Sequence, residues 1–357
     1  MALINIASWN LQNLFDITVT DIAADLEFTP EKGWDAEALD KKLDNLAEII
    51  TLMNGGQGPD LLGICEVENK ALLEELVART GLPNLVVAHQ DNPDIRGIDT
   101  ALIYSSKVFA SDGEPVGHNV HFRHPTRDIF QVPLKVKSNG AKLHCFVNHW
   151  PSRSRGQFET EPLRIAVAEN CAFLVQDVLK FRHADYSAMP DSAQTLAAIN
   201  ARFDANVLLM GDFNDEPYSR SVVDYLLAAK DLDHIEEIFK EASPSARPPR
   251  QHTPTVRDYL ERKAYLFNCM WPQAGLSDHG SLHFGQGVNT FNLLDQFIIS
   301  RGLLLGNSGL KMQLDTVRVF EAPPMASAQK KRPVAFDKKT KKGYSDHFPI
   351  EAQIEVL

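Results

Sequence analysis

Two rhythms of apolar and polar residues run along this chain. Short apolar runs cover residues 3–11, 60–67, 85–88, 100–104, 129–136, 142–147, 207–210 and 291–300, most of them flanked by Gly, Pro, Asn or Asp. Runs of that length read as strands, several of them apolar on both faces. Ser138-Asn139-Gly140 lies between two of them and predicts a tight turn. The other rhythm is helical. Leu39, Leu43, Leu46, Ile50 and Met53 recur at spacings of three and four and predict an amphipathic helix over 34–53. Gly55-Gly56-Gln57-Gly58-Pro59 ends it. Further helices are expected over 69–79, 163–182 and 221–229, and a last strand after His347. Residues 12–33 read as a polar connection. No internal repeat and no clean linker divides the chain. The expectation is a single domain over 1–357, with elaborated loops at about 183–205, 230–290 and 320–343.

Strands outnumber helices, and polar residues gather where apolar runs stop. That pattern fits sheets stacked on each other with helices outside and a site built at one sheet edge. The polar strand-end residues are Asn10, Glu66, Asp99, His149, Asp212, Asn214, Asp295 and His347, with Asp346 beside the last. Val207-Leu208-Leu209-Met210-Gly211-Asp212-Phe213-Asn214 is the most telling stretch. Its glycine lets the chain turn out of a buried strand, and residues two apart on extended backbone point the same way. Asp212 and Asn214 can thus face one reacting group, an arrangement suited to water attacking a phosphate. An Asp inside Leu293-Leu294-Asp295-Gln296-Phe297 needs a buried partner, since an unpaired carboxylate there is costly. Two histidines, several carboxylates and two Asn amides are the parts for metal-assisted phosphoester hydrolysis.

Composition narrows the class. The chain has 357 residues, 44% hydrophobic and 23% charged, in the range of ordinary globular proteins. A net charge of −11 argues against coating nucleic acid through bulk charge. One stretch runs the other way. Lys330, Lys331, Arg332, Lys338, Lys339, Lys341 and Lys342 stand against Asp337 alone, a local charge of +6 just ahead of Ser345-Asp346-His347. Cys65, Cys145, Cys171 and Cys269 form no Cys-x-x-Cys pair and read as small buried hydrophobes of a reducing compartment. No apolar run is long enough to span a membrane and the first residues read as a strand, so a cytoplasmic location is expected.

The polar residues also fall in a telling order. Ser8-Trp9-Asn10-Leu11, Gly63-Ile64-Cys65-Glu66-Val67, Gly97-Ile98-Asp99-Thr100, Val147-Asn148-His149-Trp150, Gly211-Asp212-Phe213-Asn214, Leu293-Leu294-Asp295-Gln296 and Ser345-Asp346-His347-Phe348-Pro349 follow one another along nearly the whole chain. This ordered set resembles the endonuclease/exonuclease/phosphatase superfamily, which includes deoxyribonucleases, abasic-site endonucleases, sphingomyelinases and inositol polyphosphate phosphatases. The resemblance implies a four-layer α/β sandwich of two stacked mixed sheets flanked by helices. It implies a catalytic Mg²⁺ or Mn²⁺ held chiefly by Glu66, with Asn10 and Asp346 close by, a hard oxygen shell suited to either ion. It implies Asp212 and Asn214 on the attacking water and a phosphoryl oxygen. It casts His347 as general base or phosphate-stabilising cation, oriented by Asp295. His149 is expected at the leaving oxygen or the phosphate, oriented by Asp99, and Arg127 on the substrate phosphate.

Other features read as ordinary. Arg153, Arg155 and Arg164 are expected at the solvated surface, and Trp150 and Phe213 in packing. A second Ser-Asp-His, Ser277-Asp278-His279, lies in a Gly-rich loop with no buried strand after it, and reads as coincidence. The leading function is a divalent-metal phosphodiesterase acting on DNA or RNA, the Lys-rich loop gripping the backbone. An alternative keeps the chemistry but acts on inositol phosphates, lipid head groups or small phosphorylated metabolites. A non-catalytic scaffold is the distant alternative, and it predicts a missing catalytic side chain; all are present. The sequence names no protein partner.

Overall fold

Hydrophobic runs that stay buried along their whole length must lie at the centre of a sheet with cover on both faces. Residues 61–65 and 207–211 are of this kind, and in the computed structural model they lie at the centres of two different sheets. The structure describes residues 2–18, 26–94, 96–122, 126–232, 235, 255–276, 279–284, 291–327 and 332–357. The strands are β1 (Ala2–Leu14), β2 (Leu61–Val67), β3 (Leu85–His89), β4 (Asp99–Ser105), β5 (Phe109–Ser111), β6 (Val116–His118), β7 (Ile129–Val136) and β8 (Lys142–His149). They continue as β9 (Val207–Asp212), β10 (Ala228–Ala229), β11 (Leu266–Asn268), β12 (Leu282–His283), β13 (Phe291–Asn292), β14 (Asp295–Ile299), β15 (Leu310–Val319) and β16 (Ile350–Val356).

The first large sheet runs β15-β16-β1-β2-β4-β3, and the second β10-β11-β14-β9-β8-β7-β5 with β6 on β7. Both are mixed: β1 pairs parallel to β2 but antiparallel to β16, and β9 parallel to β8 but antiparallel to β14. The two sheets pack face to face. Gly63 of β2 has no room for a Cβ, which would sit 2.5 Å from the Met210 sulfur of β9. The Cys65 thiol donates to the Asn148 carbonyl across the same gap.

Helices cover the outer faces. Helix α1 (Ala36–Gly56), capped by Asp35, packs against β1 and β16, and α2 (Lys70–Thr80), capped by Asn69, against β3. On the other side α3 (Gln157–Leu179) puts Val167, Cys171 and Val175 into a core shared with Phe146 and Leu209. The architecture is therefore the expected four-layer sandwich. All four cysteines are buried and free. Among the described residues no helix is long and apolar enough to cross a membrane.

Several local expectations change. β1 continues to Leu14 instead of giving way at residue 12. Residues 183–205 are mostly helical, as α4 (His183–Ala188) and α5 (Ala193–Phe203), the latter capped by Ser192. The helix expected at 163 begins at Gln157, with Pro162 tolerated inside it. The helix expected over 221–229 is one turn of π-helix, Ser221–Tyr225, followed by β10. The strand expected over 291–300 is two strands in different sheets, broken at Leu293-Leu294. Much of 230–290 and Lys330 and Lys331 lie outside the described residues.

Candidate active site

The strand registers bring the polar ends together. His149 of β8 lies opposite Asp212 of β9, and Asp212 opposite Asp295 of β14. Asn10 of β1 pairs with Cys65, one residue before Glu66. Gly211 makes the turn possible: its φ is +127°, and a Cβ there would stand 2.0 Å from the Asn148 carbonyl oxygen.

Asn10 is the hinge of the cluster. Its Nδ2 donates to Glu66 Oε1 at 3.1 Å and to Asp212 Oδ2 at 3.2 Å, while its Oδ1 accepts from the Gln12 N–H. Glu66 Oε2 accepts from the Asn13 N–H at 2.9 Å. Glu66, Gln12 and Asn13 all have left-handed backbone, with φ of 66°, 57° and 56°. Burial, and then the Asp346 charge, push the Glu66 carboxyl up. A carboxylate pressed by a second carboxylate and held by an amide is a donor set a divalent cation relieves. Glu66 and Asp346 thus fit a hard metal ion, and Asn10, whose N–H faces Glu66 while its oxygen is taken by the Gln12 N–H, fits as the group that steadies that carboxylate.

Asp212 sits between the two histidines. Its Oδ2 is 3.7 Å from His149 Nε2 and 3.9 Å from His347 Nε2, and its Oδ1 accepts from the Asn214 N–H at 2.8 Å. Burial raises the Asp212 carboxyl to about 7, against the pull of the His347 cation. His347 is pinned on all sides. Its Nδ1 meets Asp295 Oδ2 at 2.7 Å, its carbonyl accepts from Trp9 Nε1, and its N–H donates to Ser345 Oγ. Burial opposes a charge on this ring, but Asp295 and then Asp212 outweigh it and hold its pKa well above the usual histidine value. His149 is the opposite case. Burial, then the Arg96 and His347 charges, push it well below that value. Its Nε2 is 3.5 Å from Glu66 Oε1. The surroundings thus favour the charged form of His347 and the neutral form of His149.

Three assigned partnerships change. Asp99 does not orient His149: its Oδ2 pairs with His89 Nε2 at 2.8 Å and its Oδ1 accepts from the Asn92 N–H. His149 Nδ1 has no partner among the described residues. Arg127 is not free for substrate. It is 4% exposed and donates to the carbonyls of His149 and Trp150 and to Asp94 Oδ2. It holds the backbone that carries His149. Arg153 and Arg164 are not solvated surface, because both converge on buried Asp215, at 3.0 and 2.8 Å, just after the Asp212 turn. Arg155 is exposed. Asn214 has φ +49° and donates from Nδ2 to the Trp150 carbonyl, locking the turn's shape.

Sequence reasoning missed two cations. Arg96, half-exposed on Asp94, acts on Glu66 and His149 through its charge. Its place three residues before Asp99, at a strand start on the same edge, was the available signal. Lys42 of α1 is 1% exposed and donates to the Gln12 and Asn13 carbonyls. It breaks the apolar face of an otherwise regular helix, which was the signal there. His89, Asp91 and Asp99 form a compact cluster of potential ligand atoms, but His89 and Asp99 already bond each other and Asp91 is exposed. His279 of the second Ser-Asp-His pairs with Glu321 and Gln273 and not with the cluster's carboxylates; Ser277 and Asp278 lie outside the described residues.

The sequence profile of the Endonuclease/Exonuclease/phosphatase family matches residues 5–247. That span holds Asn10, Glu66, His149 and Asp212 but not Asp295 or His347. No curated protein matches by sequence. Among solved structures, an endonuclease/exonuclease/phosphatase family protein of Bacteroides thetaiotaomicron is 14% identical with a TM-score of 0.51, covering 99% of this chain and 97% of that one. Truncated TDP2 of Caenorhabditis elegans is 15% identical with a TM-score of 0.52, at the same coverage. The mannosyl-6-phosphatase Bt3783 of Bacteroides thetaiotaomicron is 14% identical, with a TM-score of 0.51 and 99% of each chain covered. At such identity these similarities speak to the fold alone.

Proposed function

The chain belongs to the endonuclease/exonuclease/phosphatase family and is a phosphoester hydrolase, and on that premise we propose a divalent-metal-dependent phosphodiesterase acting on nucleic acid. The observation that carries the reading is the row Asp295–His347–Asp212, a buried cation between two carboxylates beside a neutral histidine. It supports one division of labour. Asp212, with a carboxyl near 7, accepts the proton of the attacking water, which Asn214 helps to orient. His347, kept charged by Asp295, stabilises charge on the phosphoryl oxygens and is the cation rather than the base. His149, held neutral, donates a hydrogen bond from Nε2 to the phosphate without surrendering the proton, and the leaving oxygen takes its proton from solvent as the phosphorus–oxygen bond breaks. Glu66 and Asp346, with Asn10 close by and holding Glu66, would hold Mg²⁺ or Mn²⁺, which supplies Lewis-acid withdrawal of charge from the phosphate.

The nucleic-acid part rests on Lys338 and Lys339, cations of the Lys-rich loop that line a pocket beside Asn13. The test is a panel of plasmid, single-stranded DNA, RNA, bis-p-nitrophenyl phosphate and p-nitrophenyl phosphate, with Mg²⁺, Mn²⁺ or chelator and Asp212→Ala as blank. Metal-dependent cleavage of nucleic acid and diester is expected. Turnover of the monoester alone would overturn the diesterase assignment and move the chain to the phosphatases.

A further inference from the structure

The Lys-rich loop does more than present charge. Lys341 is engaged within the protein, 3.1 Å from Asp35 and 2.5 Å from Glu37 at the start of α1. The Asp337 carboxylate accepts from the N–H groups of Lys339 and Thr340 and so stays within its own loop. Lys338, whose ammonium donates to the Glu27 carbonyl, and Lys339 line a cavity of about 380 Å³.

Three rings line it beside Asp337 and the two lysines. Phe28, Trp34 and Phe336 form its wall, Phe28 and Trp34 at 5.3 Å edge to face, and Trp34 and Phe336 at 6.0 Å. Lys42 lies at its base, its ammonium 5.3 Å from the Phe336 ring centre. Lys338 stands 4.9 Å over Phe28. Gln12 and Asn13 form the remaining side, and the Asn13 N–H is the group that holds Glu66. The pocket therefore shares a wall with the cleft. Rings beside cations, one residue from a phosphoester site, match the alternation of planar base and anionic phosphate along a nucleic-acid strand.

We propose that this pocket seats the nucleoside next to the scissile phosphate, with the flanking phosphate drawn to Lys338 and Lys339. The assignment rests on the nucleic-acid reading above and goes beyond it by naming the residues that grip the strand.

The test uses a fluorescent single-stranded dT hexanucleotide, with binding read by anisotropy in chelator across a salt series. Lys338→Gln and Lys339→Gln should each weaken binding and flatten the plot of log affinity against log salt by about 0.7, the contribution of one phosphate contact. Phe28→Ala should weaken binding about tenfold to a hundredfold, the range for loss of one stacked base. In all three, kcat/KM for methyl p-nitrophenyl phosphate, too small to fill the pocket, should stay within about twofold of wild type. The lysine variants leave the ring cluster in place, so they stand if Phe28→Ala fails to fold. A wild type that binds and cleaves the hexanucleotide, with lysine variants of the same affinity and salt slope, overturns the pocket alone. A wild type that turns over the small diester but neither binds nor cleaves the hexanucleotide overturns the nucleic-acid reading and the pocket with it.

Discussion

Replacing Asp295 by Asn tests the centre of the mechanism. The carboxylate is fully buried and lies 2.7 Å from His347 Nδ1. At an effective dielectric of about 20, opposite unit charges at that distance attract by about 6 kcal/mol before desolvation is counted. Removing one partner of a buried pair costs about 3–5 kcal/mol where the other must stay charged. His347 can escape part of that cost by releasing its proton, so a loss of stability at the lower end of that range is expected near neutral pH. The sign follows from the direction of the shift. The folded His347 pKa is raised, so the pair's stabilisation is complete below the unfolded value of about 6.5. It fades as pH climbs through the folded value. The difference in melting temperature between wild type and Asp295→Asn should therefore be greatest in mild acid and shrink toward high pH. Losing the cation should lower kcat by about 10²–10³, the usual loss for one preorganised charge-stabilising group. The alkaline limb of the pH–rate profile should move to lower pH. A variant with kcat within about fivefold of wild type and an unmoved alkaline limb would refute the role of His347 as cation.

Other outcomes follow from the same geometry. His149→Ala and Asp212→Ala should each lower turnover by about 10²–10⁴ while thermal unfolding stays close to wild type; wild-type rates in either would remove that residue from the chemistry. Asp212 in the metal-free protein should titrate near 7 by carboxyl infrared, and because its folded pKa is raised by burial, its contribution to stability should fall as pH rises from about 4 to 7. Added Mg²⁺ should shift that titration to lower pH, and an unmoved curve would place the ion away from Asp212. Arg127→Gln should destabilise the fold by about 3–5 kcal/mol through the broken Asp94 pair and two orphaned carbonyls, visible as a lower melting temperature; a purely KM effect would restore its assignment to substrate phosphate.

The sandwich and the edge on which the site stands were legible because both depend on runs of like residues. A fully buried strand has to be apolar throughout, so the polar residue that ends it announces itself, as Glu66 and Asp212 do. What stayed hidden is which buried group answers which charge. The motif order puts Asp99 on His149 and Arg127 on the phosphate, but they sit opposite His89 and Asp94, partners that only the packing of neighbouring loops selects. Arg164 reads as a surface residue on the helix pattern of α3, yet the turn after Asp212 places the Asp215 carboxylate over it. Helices α4 and α5 escaped notice for a different reason. The short α4 buries Tyr186 alone, too little for a helical rhythm, whereas α5 carries one in Leu196, Ile199 and Phe203 that its polar, loop-like flanks obscure.

Four of the eight non-glycine residues with left-handed backbone among the described residues lie at the same edge. Gln12, Asn13, Glu66 and Asn214 all adopt left-handed backbone and all lie at or beside the carboxylate cluster. Such conformations outside glycine cost of order 1–3 kcal/mol and persist only where the surroundings enforce them. Here the enforcing contacts are visible: the Asn214 amide on the Trp150 carbonyl, the Asn13 N–H on Glu66, and Lys42 on the Gln12 and Asn13 carbonyls. Lys42 is itself costly, since burial pushes its ammonium down to about 7. A buried methionine in its place would remove the ionic cost and keep most of the packing, but it would free the two left-handed residues. Lys42→Met should thus leave the melting temperature within a few degrees of wild type, or raise it, because the lost carbonyl contacts of about 1–3 kcal/mol each roughly offset the relieved charge. It should lower activity about 10²-fold and raise the Mn²⁺ concentration needed for half-saturation, read directly by calorimetry on the unliganded protein. A Lys42→Met protein with wild-type metal affinity and turnover would show that the strained turn holds without it and that the lysine serves only the fold.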